Sequence, residues 1–329
     1  MPKVSVIIPV YGVERYIVRC AISLFEQTLD DMQFIFVDDC TPDKSIILLK
    51  SVIEKYPNRK EQIIILHHEK NEGLPVARQT GIKVALGDYI AHCDSDDWVD
   101  RDIYEKMYNA AIGHSADVVV CNCYNTDGNN ILSEREGGNQ QIIHNCINDM
   151  LHGKMWWSLC NKLVNRKIYN QKIEYPKYAM GEDMCITLQS MMYCKKIVYC
   201  PEVHYYYYVN EGSITNYLTE KKCVDNFYQI CRNVDIVINA YKRNNLYSKY
   251  KKGLNYIAFK TKNHLHPLLG NKKYYRLWKT TYRYVEFKIL TDSNVTIKEL
   301  ILAALSIIGL FPIPRNKYAN QLKNNNANF

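Results

Sequence analysis

Acidic side chains gather at three places in the chain: Asp38-Asp39, Asp94-Ser95-Asp96-Asp97 and Glu182-Asp183. The first two clusters each end an apolar run of strand length, FIFV before Asp38 and YIAHC before Asp94. If those runs are strands of one parallel sheet, five carboxylates converge on its carboxyl edge, where open α/β sheets bind ligands. So many like charges repel one another unless a cation sits among them. Ligands that are all oxygen favour Mg²⁺ or Mn²⁺ over zinc. Pro9 and Tyr11 finish the first apolar run. There the backbone can hydrogen-bond a nucleobase and the ring can stack on it, or the ring simply packs the sheet edge. Arg78 belongs to a helix that starts near Gly73 at the same edge. Its guanidinium can grip diphosphate oxygens bidentately, or pair with the acidic cluster beside it.

The elements that must carry these residues follow from the hydrophobic pattern. Strands are expected at Val4 to Pro9, Gln33 to Val37, Ile63 to His68, Tyr89 to Cys93 and Val118 to Cys123. Between them, helices are expected at Tyr16 to Phe25, Ser45 to Tyr56, Pro75 to Leu86 and Ile103 to Ile112. Continuous β-branched runs alternating with helices predict an α/β fold, an open and mostly parallel sheet covered on both faces. Asp127 to Asn139, rich in Gly, Asn and charge, reads as an exposed loop. A mixed region extends to Asn216, and from Thr219 onward helices dominate. The apolar segment Leu300 to Phe311 is too short for a bilayer span, which needs about 20 residues. Gln321 to Phe329 is Asn-rich and expected to fray.

Taken in order, VSVIIPVYGVERYI, FIFVDDCTPDKS, NEGLPVARQTG and GDYIAHCDSDDW resemble the family-2 glycosyltransferases of the GT-A fold. The resemblance is close over residues 3 to 125, and GEDMCI (181 to 186) and HYYYYVNEGSIT (204 to 215) are similar to acceptor-side elements of that family. It implies a catalytic domain over 1-216, split into a nucleotide-sugar half (1-125) and an acceptor half (126-216), with a helical, basic region over 217-329. It also implies an inverting enzyme that moves a sugar from a nucleotide diphosphate, in most relatives UDP, to a hydroxyl of a saccharide or lipid-linked acceptor. Polysaccharide or lipid-linked oligosaccharide assembly is the process it suggests.

Residue by residue, the resemblance implies Pro9, Tyr11, Asp39, Arg78 and Asp94 around the nucleotide sugar, with Asp39 accepting from a base N–H. Asp96 ligates the metal, and Asp94 holds the ribose or the metal's water shell. Asp38 is either a further contact or a capping carboxylate, and Asp97 is assigned to helix capping before Val99. Where the family has Gly-Ser after its Asp pair, Cys40-Thr41-Pro42 stands here, which stiffens the turn. The family motif places the general base at Asp183, with Glu182 beside it; both acids also suit the start of a helix from Met184 to Met192. Trp156, Trp157 and Lys162 are candidates for the acceptor groove or for core packing, and His204 for strand structure or an extra metal ligand.

Composition narrows the alternatives. With 47% hydrophobic and 23% charged residues the chain is that of a folded protein. Its 27 tyrosines fit aromatic-lined grooves and equally a habit of the source genome. Its twelve cysteines contain no CxxC pair, several sit in apolar runs, and the first residues lack a signal-peptide layout. These features point to a reducing cytoplasm. The net charge of +8 is uneven: Tyr241 to Leu290 holds thirteen Lys or Arg against Glu286 alone. That suggests a tail drawn to an anionic membrane surface on the inner face, with no module for nucleic acid beside it. A dinucleotide oxidoreductase would need GxGxxG after the first strand, and Pro9-Val10-Tyr11-Gly12-Val13 lacks it. A non-catalytic membrane-associated sugar-binding scaffold of the same fold is the remaining rival, and the intact acidic residues oppose it.

Overall fold

The computed structural model describes residues 1–138, 142–209 and 219–308. The first half alternates as expected: β1 (Val4–Val10), α1 (Ile17–Phe25), β2 (Met32–Asp38), α2 (Ser45–Ile53), β3 (Ile63–His67), α3 (Leu74–Val84), β4 (Tyr89–His92), β5 (Trp98–Val99), α4 (Ile103–His114) and β6 (Val118–Thr126). Then come β7 (Ile131–Arg135), α5 (Ile143–Leu151), β8 (Lys162–Asn165), α6 (Arg166–Tyr169), α7 (Glu182–Met191) and β9 (Ile197–Tyr208). The remainder is helical: α8 (Glu220–Arg243), α9 (Tyr247–Thr261), α10 (Lys272–Thr280), α11 (Val285–Ile289) and α12 (Ile297–Ile307).

One sheet runs in the order β3-β2-β1-β4-β8-β6-β9-β5, with β7 paired to β6. β1 is parallel to β2 and β4, and β2 to β3. The expected fifth strand, β6, keeps their direction, but it does not touch β4. The four residues of β8 lie between them, antiparallel to both. Side chains alternate between two cores. Ile7, Ile35 and Ile90 face one, while Val6, Ile8, Phe34, Phe36 and Ala91 face the other. Burial on both faces is why these strands read as unbroken apolar runs.

Two expectations need correction. Asp127 to Asn139 is not all loop: β7 pairs with β6 after a turn in which Asp127 Oδ1 accepts from the backbone of Asn129 and Asn130. Every residue of β7 is exposed, so the strand is held by backbone pairing and by contacts such as Asn122 Nδ2 to Glu134 Oε1 (3.0 Å), with no alternating apolar pattern to betray it. Asp97 caps no helix, because Trp98–Val99 is β5 and the next helix starts at Ile103. Of the expectations near the carboxyl end, the boundary at 216/217, Asn210 to Thr215 and Gln321 to Phe329 lie outside the described residues.

The helical region is not a detached appendage. Val234, Val237, Tyr241, Leu254 and Val285 share one core with Met184, Cys185 and Leu188 of α7. Ten of the twelve cysteines are buried, and all are free thiols. Among the described residues no helix is long and apolar enough to cross a membrane.

Candidate active site

The turn after β2 ties the sheet edge together. Asp38 Oδ1 accepts from Thr41 N (2.8 Å) and Oδ2 lies 2.9 Å from His67 Nδ1, so Asp38 braces this turn and caps no helix, the next one starting at Ser45. Thr41 Oγ1 accepts from Gly12 N (2.8 Å), linking this turn to the one after β1. Cys40 sits at φ 57°, a left-handed conformation that favours glycine, the residue the resemblance leads one to expect there. Asp39 is buried. Its carboxylate accepts from Glu72 N and Gly73 N (2.8 Å each), and Oδ1 lies 2.7 Å from His68 Nδ1. A carboxylate has about four acceptor sites, so one remains uncommitted by these contacts. Tyr11, by contrast, is half-exposed at the mouth of the edge, while Pro9 is buried within β1 in register with Val37.

The Asp94–Asp97 segment leaves β4 and is pinned from β9. Tyr205 O–H donates to Asp97 Oδ2 (2.6 Å) and accepts from Asp94 N (3.0 Å), and Tyr208 N donates to Asp97 Oδ1 (2.7 Å). Burial, then the Asp96 and Asp94 charges, push the Asp97 carboxyl well above its usual range. Asp97 is thus the buried anchor, whereas Asp94 and Asp96 stay partly exposed. Arg19, which sequence reasoning passed over, stacks 3.7 Å from the Trp98 ring centroid and donates to Asp96 O (3.0 Å). His204 takes the strand reading: in β9 it stacks on Tyr124, its Nε2 lies 3.2 Å from Glu134 Oε1, and its Nδ1 lies 3.5 Å from Asp100 Oδ2.

No group of three His, Cys, Asp or Glu side chains converges as a closed cage among the described residues. An Mg²⁺ or Mn²⁺ ion shared with a diphosphate needs only one or two carboxylates beside phosphates and water. The oxygen donors Asp94 and Asp96, on one partly exposed loop, fit that set.

The start of α7 comes to the same place. Gly181, at φ 74°, turns the chain into α7, whose first residues are Glu182 and Asp183. Arg78, reaching from α3, is 1% exposed. Its Nε donates to Glu182 Oε1 (2.8 Å) and its Nη2 to Asp94 Oδ1 (2.8 Å), and Asp183 Oδ1 lies 3.7 Å from the same Nη2. The pairing with the acidic cluster, one of its two sequence readings, is present in this structure. Burial would lower the Arg78 pKa, but Asp94, Glu182 and Asp183 outweigh it and hold the cation well above its ordinary value. Burial pushes Glu182 up, opposed by Arg78. Asp183 is one-third exposed, and its buried Oδ1 accepts no hydrogen bond from the described residues.

The chain before α7 is held by α8. Asn233 Nδ2 donates to Tyr178 O (3.1 Å) and Met180 O (2.8 Å), and Gln229 Oε1 accepts from Met180 N (3.2 Å). Nothing in the sequence marked Asn233 or Gln229, two polar residues on an ordinary amphipathic helix. Lys162 is buried in the protein rather than set along a groove. Its buried ammonium donates to Trp156 O, Ser158 O and Asn161 Oδ1 at 2.7–2.9 Å. Trp156 and Trp157 are half-buried, and Arg135 lies 4.8 Å from the Trp156 ring.

With the edge assembled, comparison with known proteins places it. The model of glycosyl transferase family 2 matches residues 5–177, more than half of the chain. The chain belongs to this family. The family 2 chain is 27% identical over 230 residues to glycosyltransferase GlyA of Streptococcus pneumoniae, covering 67% of this chain and 32% of that protein. It is 29% identical over 228 residues to the putative glycosyltransferase EpsH of Bacillus subtilis, covering 67% and 64%. These matches therefore span about a third to two-thirds of the relatives' lengths. Among solved structures, S. aureus TarS 1–349 in complex with UDP-GlcNAc superposes with a TM-score of 0.71 at 19% identity, covering 94% of this chain and 88% of TarS. The mannosyltransferase PcManGT of Pyrobaculum calidifontis, solved with GDP-Man and Mn²⁺, gives a TM-score of 0.53 at 16% identity, covering 89% and 88%. The family 2 chain thus has the GT-A fold anticipated from its ordered motifs.

Proposed function

We propose that this protein is an inverting glycosyltransferase that moves a sugar from a UDP-sugar to a hydroxyl of a saccharide or lipid-linked acceptor, in polysaccharide or lipid-linked oligosaccharide assembly. One observation carries the reading: Asp183 and Asp94, from distant parts of the chain, flank the same Arg78 nitrogen. A candidate base thus stands beside a candidate donor-binding loop. In this reading Tyr11 and Asp39 receive the base, Asp96 holds Mg²⁺ or Mn²⁺ with the diphosphate, and Asp94 holds the ribose or the metal's water shell. The bound cation supplies charge stabilisation to the leaving diphosphate without a proton transfer. Asp183 takes the acceptor hydroxyl's proton as it attacks from the opposite face, and a single displacement inverts the anomeric centre. The UDP-GlcNAc held by TarS and the names of GlyA and EpsH support the donor class and the reaction.

The scaffold alternative is opposed by the placement of Asp183, which a pure binding protein has no need to keep. Two variants test the proposal together. Asp183→Asn keeps the shape but cannot take a proton, so UDP release from a UDP-sugar should fall at least ~100-fold with UDP affinity preserved. Asp96→Ala should abolish the Mn²⁺-dependent part of UDP binding in a calorimetric titration. Near-native turnover of the first variant, or unchanged metal-dependent affinity of the second, removes the corresponding assignment.

A peripheral site on the inner membrane face is the proposal for location, and one observation favours it. On α12 Ile297 and Ile301 are exposed, as are Ile308 just beyond it and Tyr284, Phe287 and Leu290 near α11. Basic side chains populate the same region. The rest of α12 packs inward through Ala303 and Ser306, so the segment from Leu300 both docks on the protein and presents apolar surface.

A further inference from the structure

Resting on the assignment of Asp183 as base, we infer that Arg78 is a positioning residue that couples the donor loop to the base, and not a ligand of the diphosphate. Its guanidinium is the contact that joins three elements: α3, which carries it; the loop after β4 through Asp94; and the start of α7 through Glu182 and Asp183. A diphosphate ligand must present its donors to the cleft. Here Nε and Nη2 are already committed to carboxylates, and Nη1 is buried as well, without a hydrogen-bond partner among the described residues.

The electrostatics agree with the geometry. Three carboxylates surround one guanidinium, and the other charged or titratable groups nearby are few. From β8, the buried Lys162 ammonium faces Asp183 electrostatically. From β4, His92 is buried behind Arg78, and burial and the Arg78 charge keep it neutral. Removing Arg78 would leave Glu182 and Asp183 without the pairing that holds both acids at the helix start. Asp94 would also lose its link to them, so the donor loop and the base would no longer be held at a set separation. Effective catalysis depends on that separation, because misplacing reacting groups by about 1 Å costs on the order of 100-fold.

The test is a double-mutant cycle on the full chain. Arg78→Lys keeps a charge but cannot bridge two elements with a planar fork. UDP binding with Mn²⁺ is measured by calorimetry, and kcat and KM by UDP release from the most active of UDP-GlcNAc, UDP-glucose and UDP-galactose. A positioning role predicts UDP affinity and KM within about 3-fold of wild type and kcat lower by about 10- to 100-fold. It also predicts no further loss when Arg78→Lys is added to Asp183→Asn, because both act through the same group. A diphosphate ligand predicts weakened UDP binding and multiplicative losses, and either result overturns the inference while leaving Asp183 in place. If Asp183→Asn itself turns over normally, the base assignment and this inference fall together. Should Arg78→Lys unfold, Glu182→Gln serves in its place in the same cycle. It removes one charge from the cluster, and the same absence of additivity with Asp183→Asn is expected.

Discussion

Replacing Lys162 by Met tests what its buried ammonium holds together. The ammonium is 2% exposed and donates to Trp156 O at 2.9 Å, Ser158 O at 2.7 Å and Asn161 Oδ1 at 2.8 Å. Charge-assisted bonds contribute roughly 1.5–3 kcal/mol each, so the variant forfeits roughly 4–9 kcal/mol. Against this, burial lowers the lysine pKa from 10.5 to about 8, and relief of that buried charge returns roughly 3 kcal/mol. The variant should therefore be less stable by roughly 1–6 kcal/mol near neutral pH. The pH dependence fixes the sign independently. Between about 8 and 10.5 the unfolded lysine keeps its proton while the folded one releases it. Wild type then gains stability with rising pH, at about 1.4 kcal/mol per unit, and the variant has no such group. Urea denaturation of both proteins at about pH 7 and about pH 9.5 should show the gap widening by roughly 2 kcal/mol. A variant as stable as wild type at neutral pH, or a gap that does not grow, would refute the reasoning.

Three further outcomes rest on local geometry. Gly181→Ala puts a side chain at φ 74° and its Cβ 2.8 Å from Ile230 Cδ1; it should cost roughly 2–3 kcal/mol in thermal or urea unfolding and slow UDP release by displacing the start of α7. Cys40→Gly, at an exposed left-handed position, should gain about 0.5 kcal/mol, the strain relieved less the added freedom of the unfolded chain, and a loss above about 1 kcal/mol would mean the thiol has a structural contact. Ile301→Glu, on the exposed side of α12, should reduce co-sedimentation with phosphatidylserine vesicles at low salt and leave UDP affinity unaltered; equal sedimentation of both proteins, or none of wild type, rejects membrane docking by this face.

The amino-acid sequence by itself determined the sheet's first strands, the order of their helices and which acids lie at the edge. The reason is that burial on both faces writes an uninterrupted apolar run, and the residues next after such a run must lie at the strand's carboxyl end. It also placed Glu182 and Asp183 at a helix start, where the flanking glycine and the apolar spacing of α7 are local signals. Only the tertiary structure decided the rest. β8 could not be foreseen as the strand that separates β4 from β6, because four residues carry too little pattern and its position depends on both neighbours. β7 was hidden because its ladder is made by backbone groups, which every sequence has. The fate of Arg78 was open for a related reason. A guanidinium at a sheet edge suits a phosphate and a carboxylate equally well, and the choice rests on whether α7 brings Glu182 and Asp183 to it. Asp97 and Asn233 likewise acquire their roles from Tyr205 and from the Tyr178–Met180 backbone, partners far away in the chain. Side-chain type limits what a residue can bond, but burial and long-range packing choose the partner it does bond.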